Sequence, residues 1–174
     1  MVRNNVNVEA VEKFVEEVKK DPAQARKVKR VTGEWVFQEG EPQFRAELEF
    51  PRGKEVIQAD FAPFMGGGGI KPDPIQYCLY GFASCFAGTF AAVAAMEGVT
   101  LKKLSVVAEN KLDLSRTFGL TDNPPVEEVE LTVTVSSDAP PEKLQEIERL
   151  ARERCPGVYC ITNPIPLKTK LLRE

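Results

Sequence analysis

Four thiols, Cys78, Cys85, Cys155 and Cys160, are the side chains in this sequence best suited to nucleophilic or redox work, because the chain contains no histidine. Without an imidazole there is no Ser-His or Cys-His pair and no His-ligated metal. Chemistry here must run on Cys, carboxylates, Lys, Arg or Tyr. A thiolate attacks an oxidant to give a sulfenic acid, and a second thiol nearby converts that acid to a disulfide. The spacing of the cysteines therefore decides what they can do.

Cys78 and Cys85 are seven residues apart in one helical segment, a separation of about 10 Å at ~1.5 Å per residue. That exceeds the roughly 7 Å Cα limit for a disulfide. It is also too long for both sulfurs to reach one zinc at ~2.3 Å each, so a four-cysteine metal site is disfavoured. Cys155 lies in Arg154-Cys155-Pro156, at the end of an amphipathic segment, and Cys160 follows in an expected loop. If the second helix crosses the small-residue face of the first, Cys85 and Cys155 meet as a redox pair. The alternative is that both are buried as small apolar side chains. Spacing leaves the two readings open.

The elements that must position these thiols can be read from periodicity. Residues 7–20 place Val8, Val11, Phe14, Val15 and Val18 at helical spacing, and Asp21-Pro22 ends the run. A short helical stretch through Lys29 is expected next. Residues 32–38, 43–50 and 55–61 form an antiparallel meander, with Phe44, Ala46, Leu48 and Phe50 on one face and Arg45 on the other. The four glycines of Gly66–Gly69 lack the spacing and the Lys-Ser/Thr of a phosphate loop. They indicate a flexible connection or a close backbone approach.

From Pro74 to Met96 the chain carries no charge. Ala, Gly, Gln76, Ser84 and Thr89 argue for a buried helix and against a bilayer span. Asp73 is its N-cap, Pro74 its first position and Gly98 its C-cap. A helix apolar all round needs more cover than one small sheet gives, which points to a homo-oligomer. Strands at 101–114 and 127–136, a helix from Asp138 to about Arg154 stopped by Pro156, and a last strand at 165–172 complete the order. Grouped strands make this an α+β fold with a mainly antiparallel sheet around a long buried central helix.

The 174 residues fit one compact domain, residues 32–174, behind an N-terminal helical extension, residues 1–31. Hydrophobic residues at 43% and charged residues at 28% are ordinary for a globular chain and exclude disorder. Net charge is −3, from 23 Lys+Arg against 26 Asp+Glu, which argues against nucleic acid. The one basic cluster, Arg26-Lys27-Val28-Lys29-Arg30, is the kind of short run that solvates a helix end. The N-terminus leads into a charged helix and not an apolar leader, so a reduced cytoplasmic setting with no membrane partner is expected.

Read as motifs, Gly68-Gly69-Ile70-Lys71-Pro72-Asp73-Pro74-Ile75-Gln76-Tyr77-Cys78-Leu79-Tyr80-Gly81-Phe82-Ala83-Ser84-Cys85 resembles the helix entry of the OsmC/Ohr family, the osmotically inducible and organic hydroperoxide resistance proteins. There a Gly-rich loop and a Pro lead into a small-residue helix ending in small-small-Cys. Cys155-Pro156-Gly157-Val158-Tyr159-Cys160-Ile161-Thr162-Asn163-Pro164 is similar to the family's second Cys-Pro segment, and the junction Val133 to Pro140 also fits. The resemblance spans roughly residues 32–172. It implies an intertwined homodimer with two interfacial sites, reducing organic hydroperoxides or hydrogen peroxide without metal or prosthetic group. Cys85 would be the peroxidatic thiolate and Cys155 the resolving thiol, with an external dithiol as reductant. Cys78 and Cys160 match no catalytic position and are expected to pack, with Cys160 a competing resolver.

A mid-helix thiol in apolar surroundings needs a cation to ionise, since the helix dipole has faded there. Family members use an Arg near the first strands, and Arg45 is the candidate. They also carry a Glu just after the helix-entry Pro. Here Pro74 is followed by Ile75 and Gln76, so only Gln76 remains as a polar substrate-binding or Arg-orienting group. That departure favours a divergent member, and keeps in play a non-enzymatic protein holding a small apolar ligand at the dimer interface.

Overall fold

The computed structural model describes residues 1–173. Short strands β1 (Val2–Arg3) and β2 (Val6–Asn7) lead into helix α1 (Val8–Lys20), and a 3₁₀ turn at Pro22–Ala25 follows. Strands β3 (Thr32–Trp35), β4 (Phe44–Phe50) and β5 (Gly53–Ala59) come before the long helix α2 (Pro74–Met96). Strands β6 (Leu101–Leu112) and β7 (Val126–Ser137) and helices α3 (Pro141–Arg154) and α4 (Pro156–Thr162) complete the order. Among the described residues every strand pair is antiparallel, four ladders in three separate sheets, so the α+β expectation holds.

The chain divides into two compact units, Val11–Tyr80 on the one hand and Met1–Ala10 with the chain from Gly81 onward on the other. Within Val11–Tyr80, β3-β4-β5 is the expected meander. Phe50 pairs with Gly53, so Pro51 and Arg52 make a two-residue hairpin turn. Ala46 is buried on the apolar face of β4. The glycine run folds back onto the end of β5. A Cβ at Gly67 would lie 2.0 Å from the Phe61 carbonyl oxygen, so this is a close backbone approach and not a phosphate cradle. Buried Asp60 holds the loop, its Oδ2 accepting from the Gly68 and Ile70 amides at 3.0 Å each. α2 starts with a reciprocal cap. Asp73 Oδ1 accepts from Ile75 N–H at 2.8 Å, and Gln76 Oε1 accepts from Asp73 N–H at 2.9 Å.

In the other unit the core is built from Phe86, Phe90, Val93 and Ala94 of α2 with Ile147, Leu150 and Ala151 of α3. Spacings of three and four residues put these side chains on one face of each helix. Val106 of β6 and Leu131, Val133 and Val135 of β7 pack against them. Burying each large side chain is worth roughly 1.5–3 kcal/mol. α2 ends in a Schellman motif, with Val99 N–H bonding Ala94 O and Gly98 N–H bonding Ala95 O while Gly98 takes φ +78°. Asn4, itself left-handed at φ 54°, donates to Val99 O at 2.9 Å and accepts from Leu101 N–H at 2.8 Å. It ties the N-terminal hairpin to the start of β6.

Four expectations change. The helical stretch through Lys29 shrinks to the 3₁₀ turn, because Asp21 caps only Ala23 and the valines that follow, Val28 and Val31, stay exposed with nothing to pack against. Residues 165–172 are not a strand. Their alternation is present, but no neighbouring strand supplies hydrogen bonds, and Leu167 and Leu171 stand 88% and 98% exposed. Pro156 does not merely stop α3 but opens α4, as the first-turn position permits. Burial of α2 is confined to its C-terminal half: the five buried residues all fall between Phe86 and Ala95.

Candidate active site

Cys155 is at once the C-cap of α3 and the N-cap of α4. Pro156 lacks the N–H that would continue α3 and forces the preceding residue out of the helical region, which explains ψ 119° at Cys155. The corner is clamped from both sides, by Cys155 N–H to Ala151 O at 2.9 Å and Tyr159 N–H to Cys155 O at 3.1 Å. The thiol thereby points into the core, where Cys155 is 1% exposed.

Cys85 occupies the middle of α2, half-buried beside Phe86. The two sulfurs lie 3.5 Å apart. This is hydrogen-bond contact for thiols, and a bond at about 2.05 Å would need the sulfurs to close by some 1.5 Å. Gly157 lies against the pair. A Cβ there would sit 3.2 Å from the Phe82 ring, 3.4 Å from Cys85 Cβ and 3.5 Å from Cys155 Sγ. Only the Phe82 contact would be tighter than ordinary, so a methyl group at that position would press on the ring and not on the cysteines.

Burial pushes the Cys85 thiol up from its ordinary value, and the sulfurs of Cys155 and Cys160 add to the push. The Gly157 backbone N–H, hydrogen-bonded to the Cys85 sulfur, works in the opposite direction. The pair is therefore geometrically set for exchange, while Cys85 is held towards the thiol.

A cavity of about 300 Å³ is lined by neighbours in sequence of the two cysteines, Phe82, Phe86 and Val158, together with Leu131, Glu148 and Arg152, and by neither cysteine itself. Phe82 and Phe86 flank Cys85 on α2, and Val158 follows Cys155 by three residues. Arg152 and Glu148 escaped the sequence reading. The available signal was their position on α3, three and seven residues before Cys155, which puts them on its face of the helix. Gly157 was also missed as a contact of the pair, although it stands two residues after Cys155.

Arg45 lies in the Val11–Tyr80 unit, exposed on β4 opposite Glu34 and Gln58. Gln76 is exposed on the first turn of α2, with its carbonyl oxygen committed to the cap. Cys78 and Cys160 are both exposed, so neither is the packing residue expected of it. Cys160 is on α4 and not in a loop. The described residues include no His/Cys/Asp/Glu cluster able to hold a metal ion.

Residues 66–170, more than half the chain, match the family model described as OsmC-like protein. The chain belongs to the OsmC-like family. No curated protein sequence matches it significantly. Among solved structures, it is similar to an OsmC-like protein from Mycoplasma pneumoniae, at 17% identity and TM-score 0.56 over 78% of this chain and 87% of that one. It is similar also to an organic hydroperoxide resistance protein OsmC from Legionella pneumophila, at 17% identity and TM-score 0.55 over 79% and 92%. An osmotic stress and detoxification response protein from Psychrobacter arcticus aligns at 14% identity and TM-score 0.57 over 76% and 88%. At these identities the likeness is one of fold. The long apolar helix α2 meets the length and composition of a membrane span, yet it supplies the core phenylalanines of an OsmC-like domain.

Proposed function

We propose that this OsmC-like protein is a two-cysteine peroxidase acting on organic hydroperoxides and hydrogen peroxide. The observation that carries the reading is the 3.5 Å contact between half-buried Cys85 and buried Cys155. The Cys85 thiolate attacks the distal oxygen of ROOH, giving Cys85 sulfenic acid and an alkoxide that takes up a proton to leave as ROH. The Cys155 thiol then displaces water from that sulfenic acid to form the Cys85–Cys155 disulfide. An external dithiol returns both cysteines to thiols. Arg45 is proposed as the cation that lowers the Cys85 thiol, and Gln76 as a polar group that orients it or the substrate.

The protein is further proposed to work as an intertwined homodimer in the cytoplasm, where thiols stay reduced. Exposed apolar side chains support a second copy: Ile165, Leu167, Leu171 and Leu172 lie on an unpaired segment that alternates like a strand. The test is to add one equivalent of cumene hydroperoxide to fully reduced protein and map disulfides by mass spectrometry. A Cys85–Cys155 linkage formed within seconds is expected; cysteines that stay reduced overturn the reading.

A second reading, a carrier of a small apolar ligand, is favoured by the upward push on Cys85 together with the cavity lined by Phe82 and Phe86. It is selected by a protein that consumes no hydroperoxide yet binds an apolar ligand tightly.

A further inference from the structure

We propose that Cys160 is the outlet of a three-thiol relay, carrying the oxidising equivalents of the buried pair to the surface of α4. The proposal rests on the two-cysteine reading for the origin of the disulfide. A Cys85–Cys155 bond presents a problem for any external dithiol, because Cys155 is 1% exposed and Cys85 only partly accessible. An attacking thiolate must approach a disulfide sulfur roughly in line with the bond, so access limits the rate. Cys160 is exposed and already attached to the element that covers the pair.

The geometry of α4 selects its partner. Gly157 and Cys160 are three residues apart, and residues at that spacing are neighbours on one helix face. The face that Gly157 presents is the one aimed at Cys85, since a Cβ there would touch Cys85 Cβ at 3.4 Å. Cys160 therefore lies one turn along the same face. Its sulfur is near enough to Cys85 to oppose the ionisation of that thiol. Cys155, by contrast, is five residues back along the helix, about 7.5 Å of rise, beyond the reach of a direct bond while α4 is folded.

Exchange thus runs through Cys85. The Cys160 thiolate attacks Cys85 Sγ, the Cys85–Cys155 bond breaks, and Cys155 leaves as a thiolate that takes up a proton. A Cys85–Cys160 disulfide has formed, with no net change in oxidation state. An external dithiol then attacks the exposed Cys160 Sγ, releasing Cys85. The second thiol of the dithiol closes on the first, freeing Cys160 and leaving the reductant as its disulfide.

The experiment prepares the disulfide with diamide, which needs no peroxidase activity. Wild type and C160S are oxidised, quenched in acid and mapped, then reduced with dithiothreitol under stopped flow. Wild type is expected to contain both Cys85–Cys155 and Cys85–Cys160 linkages. C160S is expected to contain only the first, and to be reduced at least about tenfold more slowly, because attack must reach a less accessible sulfur. Absence of a Cys85–Cys160 linkage in wild type, or equal reduction rates, overturns the relay. A parallel arm with cumene hydroperoxide separates the two proposals: if it oxidises nothing while the diamide-treated protein still exchanges, the peroxidase reading fails and the relay stands.

Discussion

Closing the Cys85–Cys155 bond should stabilise the protein by a calculable amount. The two residues are 70 apart in sequence, so oxidation ties off a long loop in the unfolded chain. The loop-entropy relation gives about 4 kcal/mol for that length at 25 °C. For a domain of this size each kcal/mol moves the melting point by roughly 2–4 °C, so the oxidised form should melt some 8–16 °C higher. The sulfurs are already in contact and have about 1.5 Å to close. The measurement is a guanidinium titration of a C78S/C160S variant, oxidised with diamide or reduced with a phosphine, at pH 7. Restriction to one pair removes rival linkages. An oxidised form no more stable than the reduced one would refute the reasoning: the contact would then close only by distorting the corner at Cys155 as much as the cross-link helps.

Three further outcomes are expected. Because the Cys85 thiol is raised in the folded protein, the reduced state holds its proton more tightly than the unfolded chain does, so this contribution is complete below the ordinary thiol value near pH 8.5 and is lost as pH rises past it; denaturant titrations between pH 7 and 10 should show a decline that C85S lacks in part. On the proposal that Arg45 activates Cys85, R45A should move the pH profile of Cys85 alkylation upward by about one unit or more, and an unchanged profile excludes Arg45 from that role. D60A strips the acceptor from the Gly68 and Ile70 amides, two part-buried bonds, and should cost about 1–3 kcal/mol by chemical denaturation.

Much of this organisation was legible from local rules. The uncharged run from Pro74, the Asp73 cap and the Gly98 terminus gave α2 to the residue, because capping chemistry is written in side chains adjacent in sequence. The alternation at Phe44, Ala46, Leu48 and Phe50 gave β4 in the same way. What failed depended on partners distant in sequence. Residues 165–172 carry the alternation of a strand, but a strand exists only where another backbone bonds to it. The half-burial of α2 was invisible because composition says how apolar a helix is and not how much of it is covered. At the site, the meeting of Cys85 and Cys155 was conceivable from helix faces, whereas the Cys155 corner, the Gly157 contact and Arg152 beside the cavity follow from how α3 and α4 turn at Pro156.

The chemistry of the pair comes down to one charge. A thiol at its ordinary value near 8.5 is about 3% thiolate at pH 7, and each unit of upward displacement reduces that fraction tenfold. Burial and two neighbouring sulfurs displace Cys85 upward, against one backbone N–H from Gly157. A positive side chain within about 4–6 Å lowers an acid by some 1–3 units, a change in the direction that restores a reactive fraction. No carboxylate follows Pro74 to anchor such a cation: Ile75 stands there, and Gln76 is engaged in the helix cap. Arg45 is the cation proposed above for that role, and Arg152, which lines the cavity, is the second candidate to test. R152A compared with R45A tests both: on the peroxidase proposal one variant moves the alkylation profile to higher pH, and a profile that moves in neither removes both as activating cations.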